Sequence, residues 1–333
     1  MNTVPLGRTG LSVSKLGLGA LFVKSENASL DDAKRAVARA VERGVSYLDT
    51  APGYGDSEEV LGKCLAEIPD ADKLVVSTKI GGPEPFDPRD PAKIVASVET
   101  SLRRLGRERV DLLYVHEPDR PRQNDWWTDY AKVEGPVLDA VAGLRDRGLI
   151  GHVGLGGTTT TDMAHLVRSG HFDVLLTAFQ FNALLREAED ELLPAAREQG
   201  MGVVLGSALH QGLLTGEKPR LVEEAWWLAR ERKAQLRDLW ALCRGCGIGV
   251  AELAMRFAVF SDAGDVVLMG PKNAEEVDLN LAALEAGPLP ADVLAELDTL
   301  AARLPHRPYG EPVGLGWYAN DPSGYAGLGH PWP

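Results

Sequence analysis

Cysteine is scarce in this sequence: Cys64, Cys243 and Cys246 are the three among 333 residues. Three scattered thiols cannot supply the disulfide framework of a small secreted domain, so a reducing cytoplasm is the expected setting. Cys243 and Cys246 form a CxxC, but no further ligands are spaced to complete a zinc site. Their surroundings, Ala229–Cys246, read as a long helix with inert thiols, not as the strand-to-helix turn of a redox pair. Long apolar runs are also missing, and none reaches the roughly 20 residues that span a bilayer. The opening stretch, MNTVPLGRTGLSVSKLG, has neither a continuous apolar core nor a small-residue cleavage site, so no signal peptide is expected. Positive charge is in deficit: 35 Lys and Arg against 48 Asp and Glu leave a net −13. That balance argues against nucleic acid or an anionic membrane as partner, because both repel an acidic surface. A G-x-G-x-x-G dinucleotide fingerprint is absent as well. Gly17-Leu18-Gly19 is a fragment of one, with Phe22 where the third Gly should stand, which disfavours an open Rossmann sheet.

What is present is alternation. Short β-rich runs are each followed by a helical stretch at a spacing of roughly 30 residues. The expected strands are Lys15–Gly19, Ser46–Asp49, Leu74–Lys79, Val110–His116, Ile150–Leu155, Val174–Gln180, Gly202–Gly206 and Asp265–Met269. Most are near-continuous apolar runs, the mark of strands buried on both faces and hence of a parallel sheet. Between them, Leu30–Arg43 opens on Asp31 and Asp32 and stops at Gly44, and Pro91–Leu105 starts on Pro and stops at Gly106. Gly135–Arg147 and Asp190–Glu198 stop before Gly148 and Gly200 in the same way. Eight such units predict an α/β fold, a (β/α)8 TIM barrel forming one domain over 1–333. Before the first unit, Val4–Ser14 alternates around Gly7-Arg8-Thr9-Gly10 and predicts a hairpin that plugs the N-terminal end of the barrel. After the last helix, Leu304–Pro333 is rich in Pro, Gly and aromatics, including Trp317, Tyr318 and Tyr325. Such a tail is either disordered or a functional loop near the substrate pocket.

In an α/β barrel the chemistry sits at the C-terminal ends of the strands. Asp49, Lys79 and His116 each end a strand there, and Tyr54 follows Asp49 on the next loop. These four types suit carbonyl reduction. A hydride arriving at a carbonyl carbon leaves charge on the oxygen, which then needs a proton or a strong donor. A Tyr hydroxyl can supply it, but its ordinary pKa of about 10 is high for exchange near neutrality. A neighbouring Lys79 ammonium is expected to lower it, with Asp49 as the counter-charge that a buried ammonium requires. His116 can orient the substrate oxygen or share the proton.

The segment Leu48-Asp49-Thr50-Ala51-Pro52-Gly53-Tyr54-Gly55 resembles the signature loop of the aldo-keto reductases. Thr78-Lys79 and Val115-His116-Glu117 look like that family's lysine and histidine positions, so Asp49, Tyr54, Lys79 and His116 each match one member of its catalytic tetrad. Leu6 through Gly19, Gly212-Leu213-Leu214-Thr215-Gly216 and Asn280 also match. The resemblance implies a (β/α)8 barrel, NADP(H) or NAD(H) bound extended without a Rossmann fold, and reversible carbonyl–alcohol chemistry. It places cofactor contacts at Gly19, Gly156, Thr158, Gln180, Ser207, Leu209, Gly212, Gly270, Lys272, Asn273, Glu276 and Asn280.

The departures from the family pattern are informative. Where the family has Ser-Asn to hold the nicotinamide amide, this chain has Gly156-Gly157 followed by four threonines from Thr158. The family's Gln on the sixth strand is Ala178 here, as in the sugar 1-dehydrogenase branch that resembles galactose and fucose dehydrogenases; Gln180, two residues on, would point to the same strand face. Lys272 suits a 2′-phosphate and so NADP. Glu276 and Asp278, however, stand where many members carry Gln and Arg, and carboxylates there suit the ribose hydroxyls of NAD. The family at large points to NADP, and both nucleotides stay open. Phe22, Trp126, Trp127, Trp226 and Trp227 fall in rim loops and are the expected substrate contacts, since aromatic faces suit a carbonyl compound or a sugar ring. No metal ligand set accompanies His116 and Glu117, so metal-dependent hydrolysis is disfavoured. The alternative to an enzyme is a regulatory or binding subunit of the same fold, because some members of the family associate with membrane channels and turn over slowly.

Overall fold

Short runs rich in Val, Leu and Gly form eight strands whose side chains are buried nearly throughout. They are β3 (Leu16–Gly19), β4 (Tyr47–Asp49), β5 (Val75–Ile80), β6 (Val110–His116), β7 (Ile150–Gly157), β8 (Val174–Ala178), β9 (Gly202–Gly206) and β10 (Val266–Met269). All pair in parallel, in chain order, and β10 closes on β3, giving the expected (β/α)8 barrel. The structure is a computed structural model that describes residues 3–82, 86–120, 125–315 and 321–324.

Helices cover the barrel: α1 (Leu30–Glu42), α2 (Ser57–Leu65), α3 (Pro91–Leu105), α4 (Pro136–Asp146), α5 (Thr161–Arg168), α6 (Leu192–Glu198), α7 (Pro219–Glu224), α8 (Arg230–Cys246), α9 (Val250–Phe260), α10 (Ala274–Glu285) and α11 (Ala291–Ala302). Their ends follow local chemistry. Ser29 caps α1 by accepting from Asp32 N at 3.1 Å, and Asp90 caps α3 by accepting from Ala92 N at 2.9 Å ahead of Pro91. Gly106 ends α3 in the left-handed region at φ 64°. α1 turns Ala33, Ala36, Val37 and Ala40 inward, the spacing of one helix face. Cys243 and Cys246 are free thiols on α8.

The hairpin is β1 (Thr3–Pro5) paired antiparallel with β2 (Ser12–Ser14). It presents Leu6 and Val13, both fully buried, to an inner cluster with Tyr47, Leu112, Tyr114, Val174 and Val204. Gly202 makes room for this, since a Cβ there would lie 2.7 Å from Leu6 Cγ. Burying the Leu6 side chain stabilises the plug by about 2 kcal/mol.

The chain from 304 to 315 is built into the fold. Arg232 and Glu311 form an ion pair at 3.3 Å with both side chains fully buried, and Arg232 also donates to Leu304 O and His306 O at 3.1 and 2.9 Å. Leu315 N donates to His210 Nε2 at 3.1 Å. Trp317, Tyr318 and Tyr325 of the expected aromatic tail lie outside the described residues.

Candidate active site

Parallel register sets the site. Asp49 is aligned with Ser77, Lys79 with Tyr114, and His116 with Gly156. The ends of β4, β5 and β6 therefore bring a carboxylate, an ammonium and an imidazole to one rim. Tyr54 joins them from the turn after β4, held by its N–H to Ala51 O at 3.1 Å and by Ser57 N to Tyr54 O at 3.2 Å. Lys79 Nζ donates to Asp49 Oδ2 at 2.7 Å and to Thr50 O at 2.8 Å, with the Lys79 and Asp49 side chains 1% and 3% exposed. The same Nζ lies 4.9 Å from the centre of the Tyr54 ring. The Tyr54 and His116 rings meet edge to face at 5.9 Å. All four residues read from the sequence are together.

Burial decides the proton affinities. For Lys79, burial pulls the pKa down, but Asp49 and Tyr54 raise it further, and the net is above the usual lysine value. For His116, burial, Lys79 and Arg120 all act downward and take it to about 3, so the imidazole is neutral near pH 7. Tyr54 corrects an expectation. Lys79 does lower its pKa, but burial is the larger influence, Asp49 adds to it, and the phenol ends above its ordinary value.

The expected cofactor residues form two groups. In the first, a Cβ at Gly156 would make ordinary contacts, 3.7 Å from Tyr114 Cβ and 3.9 Å from Lys79 Cε, so this glycine lies against the lysine stem. At Gly157 a Cβ would come within 2.3 Å of Met163 Sδ and 2.8 Å of Asp119 Oδ1, so a side chain there would displace both. Thr158 N and Thr159 N donate to Asp119 Oδ2 at 3.0 and 2.7 Å, and Thr158 Oγ1 accepts from Arg120 Nε at 3.0 Å. Gln180 Nε2 donates to Thr158 O. The strand argument for Gln180 fails: β8 stops at Ala178, and Phe179 takes φ 71°, which breaks the two-residue alternation.

The second group lies at the start of α10 and on the segment after β9. Ser207, His210, Gln211 and Gly212 take positive φ, whereas Leu209 between them has φ −91°, and Gln211 Oε1 is buried without a hydrogen-bond partner. Asn273 caps α10 by accepting from Glu276 N at 2.9 Å, while Glu276 Oε2 accepts from Lys272 N at 2.8 Å and Asn280 Nδ2 donates to Glu276 O at 2.6 Å. Asp278 is held in ion pairs: its Oδ1 accepts from Arg39 Nε at 2.8 Å and Arg43 Nη1 at 2.9 Å, joining α1 to α10. Gly19 pairs with Asp49 in register, and a Cβ there would lie 3.3 Å from Met269 O.

The expected substrate aromatics are dispersed. Phe22 packs on Gly270, where a Cβ would be 3.0 Å from its ring, with Lys272 Nζ 5.5 Å from the ring centre. Trp126 and Trp127 are not open rim faces: they are 1% and 8% exposed, and their Nε1 groups donate to His116 O at 3.2 Å and Pro118 O at 3.0 Å. An indole whose N–H finds a backbone carbonyl can be buried at little cost. Trp227 is buried likewise, donating to Pro322 O at 2.8 Å. Trp226 is 74% exposed and lines a cavity of about 860 Å³ with Trp227, Arg230, Lys233 and Arg237, which contains none of the four clustered residues.

Three neighbours join the cluster with no expected part in its chemistry. Ser77 Oγ donates to the second Asp49 oxygen, Oδ1, at 2.7 Å. It stands two residues before Lys79, so strand periodicity marks it. Glu117 takes φ 49°, unusual for a side-chain-bearing residue, and its carboxylate has Arg120 Nε at 4.0 Å. Asp119 holds the turn after Gly157.

The family model described as "Aldo/keto reductase family" matches residues 15–302. The chain is 30% identical over 327 residues to a D-threo-aldose 1-dehydrogenase of Pseudomonas sp, covering 86% of this chain and 94% of that one. It is 30% identical over 309 residues to an L-galactose dehydrogenase of Arabidopsis thaliana, covering 89% and 92%. It is 28% identical over 326 residues to an NADH-specific methylglyoxal reductase of Escherichia coli, covering 88% and 96%. With the closed barrel and the clustered Asp49, Tyr54, Lys79 and His116, the match over most of its length identifies this chain as an oxidoreductase of the aldo/keto reductase family.

Proposed function

We propose that the chain interconverts a carbonyl and an alcohol with NADP(H) or NAD(H), that Tyr54 exchanges the proton, and that the substrate is polyhydroxylated, an aldose or a close analogue. The observation that carries this is the Lys79 ammonium, 4.9 Å from the Tyr54 ring and paired with buried Asp49 at 2.7 Å.

A nicotinamide cofactor, when bound, would supply the hydride. Tyr54, its pKa raised by burial, holds its proton at neutral pH and delivers it to the substrate oxygen. The tyrosinate left behind is stabilised by the neighbouring Lys79 ammonium, by on the order of a few kcal/mol at an effective dielectric near 20. His116, neutral because its pKa is about 3, offers a ring N–H to orient the substrate oxygen and does not act as an imidazolium. In the reverse direction tyrosinate takes the hydroxyl proton, and Lys79 again offsets the charge. The positive-φ residues of the 207–212 segment with the orphaned Gln211 oxygen, and Lys272 ahead of the N-terminus of α10, suit an extended dinucleotide. Glu276, bonded to Lys272 N, sets a carboxylate against a 2′-phosphate.

Glu117 supports the substrate class. Its positive φ stores on the order of 1 kcal/mol of strain directly after His116. Its carboxylate is close enough to raise the pKa of Tyr54, and its nearest cation, Arg120, stands at 4.0 Å. A carboxylate so placed accepts from substrate hydroxyls. The names of the Pseudomonas and Arabidopsis relatives point the same way. The test is a fluorescence titration with NADPH and NADH, followed by a panel of aldoses and hydroxyl-free aldehydes. Saturable binding with turnover of an aldose is expected. Absence of turnover across the panel, together with co-purification of a membrane partner, would replace the enzyme with a binding subunit.

A further inference from the structure

Each of the three strands that carry Asp49, Lys79 and His116 at or next to their C-terminal ends has a hydroxyl two residues before that residue, on the same inward face: Tyr47, Ser77 and Tyr114. All three are fully buried, and no step described above uses them. Their oxygens are linked. Tyr114 Oη and Tyr47 Oη are 2.8 Å apart, Tyr47 Oη is 3.1 Å from Ser77 Oγ, and Ser77 Oγ is 2.7 Å from Asp49 Oδ1.

Proton counting gives this chain one direction. A hydroxyl has a single proton to donate. Ser77 has two acceptors in reach, Asp49 Oδ1 at 2.7 Å and Leu48 O at 3.3 Å, and the nearer, charged one takes the proton. Ser77 Oγ therefore accepts from Tyr47, whose own proton is then spent, so Tyr114 must donate to Tyr47. Every dipole points its positive end toward Asp49, whose other oxygen accepts from Lys79. The neighbouring strands are cut to admit the two rings. A Cβ at Gly154 would lie 2.5 Å from the Tyr114 ring, and one at Gly17 would lie 3.0 Å from the Tyr47 ring. Below the pair the hairpin residues Leu6 and Val13 seal the barrel, so the chain has no outlet and orients dipoles without conducting protons.

We propose that Tyr114, Tyr47 and Ser77 form a one-way donor chain ending on Asp49, and that this chain sets how much of the Lys79 charge reaches Tyr54. They are positioning residues, and the proposal rests on Tyr54 being the proton-exchanging group. The groups acting on Tyr54 are Lys79 from β5, Asp49 from β4, neutral His116 from β6 and Glu117 from the turn beyond it. Asp49 opposes Lys79 at Tyr54. Donors on Asp49 disperse its charge and leave more of the ammonium field for the phenol. Removing them leaves Asp49 less compensated, so Tyr54 becomes harder to ionise. Tyr47 and Tyr114 are themselves pushed far above the ordinary tyrosine range by burial, so they do not titrate alongside it.

The test is an ultraviolet titration of tyrosinate in the cofactor-bound protein. Each variant is compared with the same variant also carrying Tyr54→Phe, which isolates Tyr54. Ser77→Ala is expected to move the Tyr54 titration upward by about one pH unit, the isosteric Tyr47→Phe by about half a unit, and Tyr114→Phe by less, since the influence weakens with distance. An unmoved titration in Tyr47→Phe and Ser77→Ala, or a larger shift from Tyr114→Phe than from Ser77→Ala, overturns the chain. If Ser77→Ala does not fold, Tyr47→Phe decides alone. Such a failure leaves the role of Tyr54 standing, because that role is judged separately by the turnover of Tyr54→Phe.

Discussion

Replacing Lys79 by Met separates the charge of this residue from its bulk. Methionine fills a similar slender volume, so no large cavity opens, but the partners of Nζ lose their donor. The Asp49 side chain, 3% exposed, keeps only Ser77 Oγ at 2.7 Å, and Thr50 O loses its 2.8 Å contact. Breaking a buried pair by removing one partner costs about 3–5 kcal/mol, because the remaining charge has neither water nor a counter-ion. Lys79→Met is therefore expected to unfold at markedly lower urea, by that free energy at an unchanged slope. Adding Asp49→Asn should recover much of the loss, with a coupling of about 2 kcal/mol or more between the two sites. Turnover should not recover, because the ammonium beside Tyr54 is absent in both variants. Equilibrium denaturation of the four-member cycle measures this. A single variant within about 1 kcal/mol of wild type, or a double variant equal to the sum of the singles, would refute the reasoning.

Three further outcomes are expected. Carbonyl reduction should be level across neutral pH, because the raised pKa of Tyr54 keeps its phenol protonated, whereas alcohol oxidation should climb about tenfold per pH unit; equal oxidation rates at pH 7 and 9 would contradict this. Stability should fall on acidification between about pH 6.5 and 5. His116 and His210 both have folded pKa values near 3, so below about pH 6.5 the unfolded chain takes up to two protons that the native state refuses, a contribution of up to about 2.7 kcal/mol per pH unit; Glu117 and Glu311, whose pKa values burial raises, oppose it nearer the carboxylate range, so a melting temperature unchanged from about pH 6.5 to 5 would exclude it. Glu276→Gln should raise kcat/KM for NADPH relative to NADH by about tenfold, since the amide can keep the bond to Lys272 N without the charge that opposes a 2′-phosphate; an unchanged ratio would show that residue 276 does not sense it.

The barrel and the rim cluster were legible because their signals are local. Doubly buried strands read as continuous apolar runs, and Asp49, Lys79 and His116 close or nearly close three of them. What escaped depends on distant partners. Asp278 is committed to Arg39 and Arg43, more than 230 positions away, a pairing no local pattern announces. Trp126 sits in a rim loop by sequence, yet the carbonyl of His116 satisfies its indole and lets it turn inward. Gln180 falls on an expected strand face that Phe179 breaks by adopting a left-handed conformation, which an aromatic residue does not advertise. The direction of the Tyr54 shift turned on burial, a tertiary quantity, and not on the neighbouring lysine alone.

The most direct measurement of the central claim is the turnover of Tyr54→Phe with saturating cofactor and the best substrate of the panel, beside its affinity for that cofactor. The account predicts a fall in kcat of about a hundredfold or more with cofactor binding intact, because only the proton-exchanging hydroxyl is lost. Retention of more than about a tenth of the wild-type rate, a barrier change under roughly 1.4 kcal/mol, would contradict it.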